Sequence, residues 1–170
     1  MRVIFAGSFD PVTLGHLNII HRASRLFEEV IVGVLCNSSK KALFSNVERI
    51  EMLNELLYNI KNVKVEQFEG LLVDYVKIKN ADAVLRGLRT PTDFEYERQL
   101  ALLNRSLNSD LETIFLVTDI RYSYVSASYA REVASYGGDV SGLVPPNVAE
   151  RLHKKFFPDE GRKASSENKK

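Results

Sequence analysis

The regular alternation of short apolar runs with segments of helical periodicity constrains the fold of this chain more than any other sequence feature. Five runs rich in Val, Ile, Leu or Phe predict strands at Val3–Ala6, Val30–Leu35, Val63–Phe68, Ala83–Leu85 and Thr113–Val117. Such runs are typical of strands that are buried on both faces. Strands that alternate with helices predict an α/β domain in which helices cover both faces of a doubly wound, five-stranded parallel sheet.

Apolar residues at helical spacing, together with capping and stop signals, place the helices between and after these strands. They predict helices over about 15–27, 46–59 and 72–79, a fourth from near Pro91 and Thr92, a fifth over about 128–136 and a last one after Pro145 and Pro146. Ser45 with Glu48, and Thr92 with Glu95, have the spacing of capping boxes. The fourth helix is expected to bury one apolar face, which consists of Tyr96, Leu100, Leu103 and Leu107.

Length and composition indicate one domain followed by a polar tail. The chain has 170 residues, which suits a single domain with its own core. We assign residues 1–158 to the domain. Residues 159–170 contain a single apolar side chain, Ala164, and such a composition predicts disorder.

Charge and cysteine content restrict the class of protein. With 23 basic and 22 acidic side chains the net charge is +1, so the chain lacks the general positive field of a nucleic-acid-binding protein. Any anion site must be local. The single cysteine, Cys36, cannot form an internal disulfide, which suits a reducing compartment. No run approaches the roughly 20 apolar residues that span a membrane, and we expect a cytoplasmic protein with no membrane or nucleic-acid partner.

The loop after the first strand is the first candidate for a ligand site, because parallel sheets bind ligands at the carboxyl ends of their strands. This loop runs from Gly7 to His16, and His16 opens the first helix. A helix N-terminus favours phosphate, and a histidine there can add a hydrogen-bond donor. His16 could equally be an ordinary capping or half-buried residue. The chain has neither a P-loop lysine motif nor a G-x-G-x-x-G motif, so it lacks the usual signatures of kinases and dehydrogenases.

Two further segments offer anion-binding groups. Arg86 and Arg89 follow the fourth predicted strand, and guanidinium groups bind phosphate oxygens in a fork. They could instead form ion pairs with Asp93 or Glu95. The segment Ser126–Ser128 would open another helix with hydroxyl and N–H groups, although a simple serine cap explains the same pattern.

These segments together resemble a known family. Gly7-Ser8-Phe9-Asp10-Pro11 followed by Thr13-Leu14-Gly15-His16 resembles the signature of nucleotidylyltransferases with an (H/T)-x-G-H motif, and within that superfamily the chain is similar to the phosphopantetheine adenylyltransferase family. The resemblance covers about residues 2–155 and extends to Lys40-Lys41, Gly70-Leu71-Leu72, Arg86–Arg89, Asp93–Glu97 and Tyr122–Ser128. Ala127 and Tyr122 depart from the family pattern.

The resemblance implies a Rossmann-like domain with C-terminal helices and assigns residues to its site. It implies that His16 stabilises the transition state. It places the acceptor, 4′-phosphopantetheine, against Ser8, Lys40, Leu72 and Arg86. It places ATP against Ser8, Phe9, His16, Gly87, Leu88, Arg89, Glu97, Tyr122, Ser123, Tyr124, Val125, Ser126, Ala127 and Ser128. Mg²⁺ would accompany the nucleotide without a metal site made of protein ligands, and the assembly would be a homohexamer.

The implied reaction needs no protein nucleophile, since the acceptor phosphate can attack the α-phosphorus of ATP in line. Several alternatives remain open from the sequence. The acceptor could be nicotinate mononucleotide, or the enzyme could join CTP to a phospho-alcohol. The same fold could also serve as a non-catalytic nucleotide sensor, and a nucleic-acid-binding module is a third class.

Overall fold

A five-stranded, fully parallel sheet forms the centre of the computed structural model, which describes residues 1–36 and 41–158. The strands are β1 (Arg2–Gly7), β2 (Glu29–Leu35), β3 (Val63–Phe68), β4 (Ala83–Leu88) and β5 (Glu112–Val117). Their order across the sheet is β3-β2-β1-β4-β5. The predicted α/β class, strand number and parallel arrangement are confirmed. The predicted disordered tail, 159–170, lies outside the described residues.

In the described part of the chain, six α-helices connect or follow the strands. They are α1 (Leu14–Leu26), α2 (Asn46–Leu57), α3 (Leu72–Lys79), α4 (Pro91–Leu107), α5 (Ala127–Ser135) and α6 (Pro146–Phe156), with a short 3₁₀ turn at Ile120–Tyr122. The capping box predicted for α2 is present, because Ser45 accepts from the Glu48 N–H and Glu48 accepts from the Ser45 N–H. No described helix is long and apolar enough to cross a membrane.

Alternate residues of the central strands bury their side chains on opposite faces of the sheet, which creates two apolar layers. Val3 and Phe5 of β1 face the larger layer, which α1, α2, α5 and α6 complete. Ile4 and Ala6 face a smaller layer that includes Val73 and Val76 of α3. The expectation that all five strands are buried on both faces was wrong for the edges. Strands β3 and β5 are mostly half-buried or exposed, because an edge strand has a neighbour on one side only.

The start of α4 differs from the prediction. The helix begins at Pro91, and its capping box pairs Thr90 with Asp93 rather than Thr92 with Glu95. Proline is favoured at the first helical position, since its missing N–H would have no partner there and its φ already suits a helix. Pro91 therefore selects the cap one residue before it.

The apolar face predicted for α4 is not buried against the rest of the chain. No α4 residue is buried, and Tyr96, Leu103 and Leu107 are each more than half exposed. Leu100 is half-buried. Phe94 contacts Phe115 of β5 edge to face. The helical period of α4 was predicted correctly, but the apolar face that it creates is largely exposed in the monomer.

Candidate active site

A pocket of about 430 Å³ opens at the carboxyl ends of β1 and β4. The connections after these neighbouring strands lead to opposite sides of the sheet, and this is the point at which α/β proteins bind ligands. Its walls come from the first loop (residues 8–13), the start of α1, the end of β4, the first turns of α4 and the start of α5. The predicted site residues that line it are Ser8, Phe9, His16, Arg86, Gly87, Arg89, Glu97, Val125, Ser126, Ala127 and Ser128.

Other predicted site residues lie elsewhere. Leu72 begins α3 and packs against the smaller core layer. Leu88 is a buried residue of β4. Another three, Tyr122, Ser123 and Tyr124, lie between β5 and α5 without lining the pocket. Lys40 lies outside the described residues.

The pocket also contains polar residues to which the sequence analysis assigned no part in binding: Thr13, Asp93, Thr118 and Arg131. Thr13 lies three residues before His16 in the first-loop motif, and Arg131 lies one turn after Ser128 at the end of the serine stretch. That spacing is the signal that could have identified them. Thr118 follows β5 with no distinguishing pattern.

His16 is held at the start of α1 by a reciprocal contact with Thr13. The His16 N–H donates to Thr13 Oγ1 at 3.3 Å, and the Thr13 N–H donates to His16 Nδ1 at 3.1 Å. Because a peptide N–H can only donate, Nδ1 must carry no proton in this arrangement. The neutral imidazole then carries its proton on Nε2, and the ring is both a helix cap and a hydrogen-bond donor.

The surroundings of His16 keep it neutral. Burial, together with the guanidinium groups of Arg89 and Arg86, lowers the pKa of His16 from 6.5 to about 4. Phe9 packs edge to face on the imidazole, with ring centroids 5.0 Å apart. His16 is therefore an uncharged hydrogen-bond donor at neutral pH, in a pocket that it shares with two permanent cations, Arg86 and Arg89.

Phe9 has a backbone conformation that is uncommon for a bulky residue. Its φ is +47° and its side chain is 1% exposed. A left-handed conformation at a non-glycine residue costs about 1–3 kcal/mol and persists when the surrounding packing determines it. Contacts with the rings of Phe5 and His16 provide that packing. The strained residue turns the first loop away from β1 and towards α1.

Arg86 is fixed by a two-pronged ion pair with Glu97. Its Nε and Nη2 donate to the two carboxylate oxygens of Glu97, each at 2.6 Å. Its Nη1 donates to the Ala6 carbonyl at 2.7 Å. The ion pair with α4 that was anticipated as an alternative for Arg86 therefore exists, but with Glu97 instead of Asp93 or Glu95. It leaves the arginine at the pocket wall in one orientation.

Arg89 is fixed in a similar way by Asp93, so for Arg89 the anticipated pair with Asp93 is present. Two of its guanidinium nitrogens donate to the Asp93 carboxylate at 3.0 and 3.1 Å, and Nη1 donates to the Val125 carbonyl at 2.9 Å. Burial would raise the pKa of Asp93, but hydrogen bonds from Arg89 and the Thr90 N–H hold it below its usual value. The pair ties the end of β4 to the segment that leads into α5.

The start of α5 adds hydroxyl groups to the opposite wall. Ser126 caps the helix by accepting from the Tyr129 N–H at 3.1 Å, and its Oγ lies 3.0 Å from Oγ of Ser128. The simple cap anticipated for Ser126 is present, and both serines also line the pocket. Two helix N-termini, those of α1 and α5, thus converge on one cavity with three arginines.

Within residues 1–36 and 41–158, no three His, Cys, Asp or Glu side chains form a group able to hold a metal. The pocket carboxylates Glu97 and Asp93 are each occupied by an arginine. What the cavity offers is a set of donors and positive charges suited to phosphate groups, with carboxylates that fix the cations in place.

The fold and this site define a class of enzyme. Residues 4–133 match the family model described as cytidylyltransferase-like. The chain also resembles the solved structure of nicotinic acid mononucleotide adenylyltransferase from Plasmodium falciparum, with a TM-score of 0.68, 17% identity, and coverage of 93% of this chain and 97% of that one. At that identity the likeness concerns the fold. The protein is a nucleotidyltransferase with a cytidylyltransferase-like domain.

Two curated relatives narrow the class. The phosphopantetheine adenylyltransferase of Desulfosudis oleivorans is 53% identical over 153 residues, which cover 90% of this chain and 91% of the relative. That of Caldanaerobacter subterraneus subsp. tengcongensis is 54% identical over 157 residues, covering 92% and 98%. The chain belongs to the phosphopantetheine adenylyltransferase family, and the resemblance seen in the sequence is confirmed.

Proposed function

We propose that the protein transfers the adenylyl group of ATP to 4′-phosphopantetheine. An oxygen of the acceptor phosphate forms the new bond to the α-phosphorus, and the bond between that phosphorus and the bridging oxygen of the β-phosphate breaks. The products are dephospho-coenzyme A and pyrophosphate, which takes the electron pair of the broken bond. The observation that carries the proposal is a neutral, Nε2-protonated His16, whose pKa is lowered by burial, Arg89 and Arg86, in the pocket at the carboxyl ends of β1 and β4.

We assign His16 to the phosphate at which the reaction takes place. Its Nε2–H would donate to an oxygen of the α-phosphate as negative charge shifts during the transfer. Such preorganised donors supply much of the catalysis in phosphoryl chemistry because they need no reorganisation in the transition state. A neutral imidazole donates without giving up its proton, so the histidine acts by electrostatics and orientation rather than as a general acid.

We assign the rest of the pocket to the two substrates. Ser8 and Arg86, with Lys40, would bind the acceptor phosphate. Arg89 and the N-terminus of α5 would bind ATP, and the carboxylates of Glu97 and Asp93 would keep the two arginines oriented. Mg²⁺ would enter with ATP, bound mainly by phosphate oxygens and water, as is usual for this ion.

Two further proposals concern the assembly and its compartment. A homohexamer is supported by the family assignment and by the open apolar face of α4, with Tyr96, Leu103 and Leu107 more than half exposed, since such faces are characteristic of contacts between subunits. A cytoplasmic location is proposed from the reducing compartment that a single cysteine suits. Light scattering of the purified chain tests the first, and fractionation of the source cells tests the second.

The test of function is pyrophosphate release with ATP and Mg²⁺. We would compare 4′-phosphopantetheine with nicotinate mononucleotide, and include CTP with glycerol 3-phosphate. Release with 4′-phosphopantetheine alone, and loss of roughly 100-fold or more in kcat in His16→Ala, is the expected result. His21→Ala, an exposed histidine on the same helix, serves as the control and should remain active.

Other outcomes of the same assay are informative. Release with a different pair would keep the mechanism and overturn the acceptor. ATP binding without release for any pair would favour the nucleotide-sensor alternative. Lys40→Ala should raise KM for 4′-phosphopantetheine more than KM for ATP, and the reverse pattern would contradict the assignment of Lys40.

A further inference from the structure

Arg49 on α2 is a buried arginine whose hydrogen bonds within residues 1–36 and 41–158 all go to neutral oxygens. Its residue is 4% exposed. Its Nη1 donates to the Ser8 carbonyl at 2.7 Å and to the Leu35 carbonyl at 3.4 Å, and its Nε donates to the Ser45 carbonyl at 3.4 Å. Its Nη2 donates to Oδ1 of Asn46. The guanidinium thus joins the first loop, the end of β2 and the cap of α2.

These acceptors give each guanidinium nitrogen of Arg49 a hydrogen-bond partner, but no carboxylate among the described residues pairs with its charge. None of the ion pairs among residues 1–36 and 41–158 includes Arg49, although most other arginines in that part of the chain have a carboxylate partner. Residues 37–40 contain no acidic side chain. A buried, unpaired charge is costly. Because the charge of Arg49 lies next to a pocket that is suited to anions, a bound ligand is the natural source of the missing negative charge.

The position of Arg49 relative to the first loop supports this interpretation. Ser8 and Phe9 line the pocket and Arg49 does not. In a trans peptide the C=O of one residue and the N–H of the next point in opposite directions. The Phe9 N–H is therefore directed away from Arg49, and it has no acceptor among the described residues. Arg49 binds the Ser8 carbonyl of this peptide, and the Phe9 N–H of the same peptide is available to donate to a ligand.

Two more arginines bind backbone carbonyls nearby, one at the end of β1 and one in the first loop. Arg86 Nη1 donates to the Ala6 carbonyl at 2.7 Å, and Arg131 Nη1 donates to the Asp10 carbonyl. Three arginine side chains thus bind the carbonyls of three alternate residues, Ala6, Ser8 and Asp10. Arg86 and Arg131 also have carboxylate partners, Glu97 and Asp10. Arg49 is the member of this set whose charge is left over for a bound anion.

We propose that Arg49 is a positioning residue of the phosphate site. It fixes the Ser8–Phe9 peptide so that the Phe9 N–H faces a phosphate group, and its unpaired charge is neutralised by that phosphate. The inference rests on the proposed function, because it requires a phosphate-bearing ligand in this pocket. It adds a residue outside the pocket wall to those that determine anion affinity.

The experiment measures the dissociation constant of pyrophosphate by calorimetry at a temperature at which every variant is folded. Arg49→Met removes the charge and keeps most of the side-chain volume. Arg49→Lys keeps the charge but replaces the three guanidinium nitrogens with a single amine. Arg151→Met is the matched control, because Arg151 is paired with Glu51 and Glu55 between α6 and α2. We expect affinity to fall roughly 100-fold in Arg49→Met, as for a lost preorganised donor, less in Arg49→Lys, and not at all in Arg151→Met.

A purely structural role would give a different result. It would lower the midpoint of thermal unfolding of the free protein and leave pyrophosphate affinity unchanged, which would overturn the proposal. If Arg49→Met does not fold, Arg49→Lys alone tests the proposal. Unchanged pyrophosphate affinity in Arg49→Lys would contradict a need for the several hydrogen bonds of the guanidinium. A wild type that neither binds pyrophosphate nor turns over 4′-phosphopantetheine would refute the proposed function itself. A wild type that does both, with an equally effective Arg49→Met, would refute only the role of Arg49.

Discussion

The Thr13 N–H donates to Nδ1 of His16 across 3.1 Å, and this contact decides which ring nitrogen carries the proton. A backbone donor cannot reverse its role, so the Nε2–H tautomer is fixed before any substrate binds. The same contact closes a capping box at the start of α1. Helix capping and orientation of the proposed catalytic ring are therefore one interaction.

The tautomer of His16 can be observed directly. We expect ¹⁵N chemical shifts of the imidazole at pH 7 to show a protonated Nε2 and an unprotonated Nδ1, and the ring to titrate near pH 4 because burial, Arg89 and Arg86 lower its pKa to about 4. His21 and His153 provide internal references in the same spectrum. An Nδ1–H tautomer, or titration of His16 near pH 6.5, would contradict the proposed donor geometry.

The lowered pKa of His16 also predicts a pH dependence of stability. The unfolded chain takes up a proton at about pH 6.5 and the folded protein at about 4, so the contribution is full above pH 6.5 and is lost as the pH falls through this window. The expected loss between pH 7 and pH 5 is about 2 kcal/mol of unfolding free energy. Urea denaturation of wild type and His16→Asn at both pH values measures it, and equal pH dependence in the two proteins would refute it.

Arg86 and Glu97 should behave as a coupled pair. Their side chains are 22% and 13% exposed, so removing either one leaves a poorly solvated charge at the pocket wall. We expect Arg86→Met and Glu97→Gln each to destabilise the protein, and the double variant to be about 1–2 kcal/mol more stable than the sum of the single effects predicts. Denaturant midpoints of the four proteins complete the cycle. Additive effects would show that the pair is not coupled.

Asp10 should be important for stability as well as for the site. Its buried carboxylate accepts from the N–H groups of Leu43 and Phe44, each at 2.9 Å, and so joins the first loop to the segment before α2. Asp10→Ala would leave both donors unpaired and should cost about 2–3 kcal/mol of unfolding free energy. Asp139→Ala is the control, since Asp139 accepts from Ser141 at an exposed position. A similar cost for both variants would contradict a special role for Asp10.

Much of the fold was predictable because the strand and helix periods are local properties. The five strands and the parallel arrangement followed from alternating apolar runs, and the α2 cap followed from Ser45 and Glu48. Strand β4 was predicted too short, since it continues to Leu88 through Arg86. A charged residue inside a strand is unexpected until its partners, Glu97 and the Ala6 carbonyl, are known. Those partners lie 11 and 80 residues away in the sequence.

The site was predictable to a similar extent and for a similar reason. Short motifs identified the first loop, the β4 arginines and the α5 serines, which the fold brings into one cavity. The open face of α4 was not predictable, because its periodicity is the same whether the partner is the core or another surface. Arg49 gave no sequence signal, since its importance depends on burial and on contact with Ser8.

The alternation of arginines behind the first loop has a consequence for how the site tolerates change. Arg86, Arg49 and Arg131 donate to the carbonyls of Ala6, Ser8 and Asp10, and Arg131 also pairs with the carboxylate of Asp10. Most of these contacts are therefore made to peptide groups rather than to side chains of the loop. Substitutions within the loop that preserve its backbone conformation would leave the electrostatic contribution of these arginines unchanged. The positive charge that attracts an anion therefore lies on β4, α2 and α5, outside the loop, so loop side chains other than the buried Phe9 and Asp10 can change which anion is accepted without removing that charge.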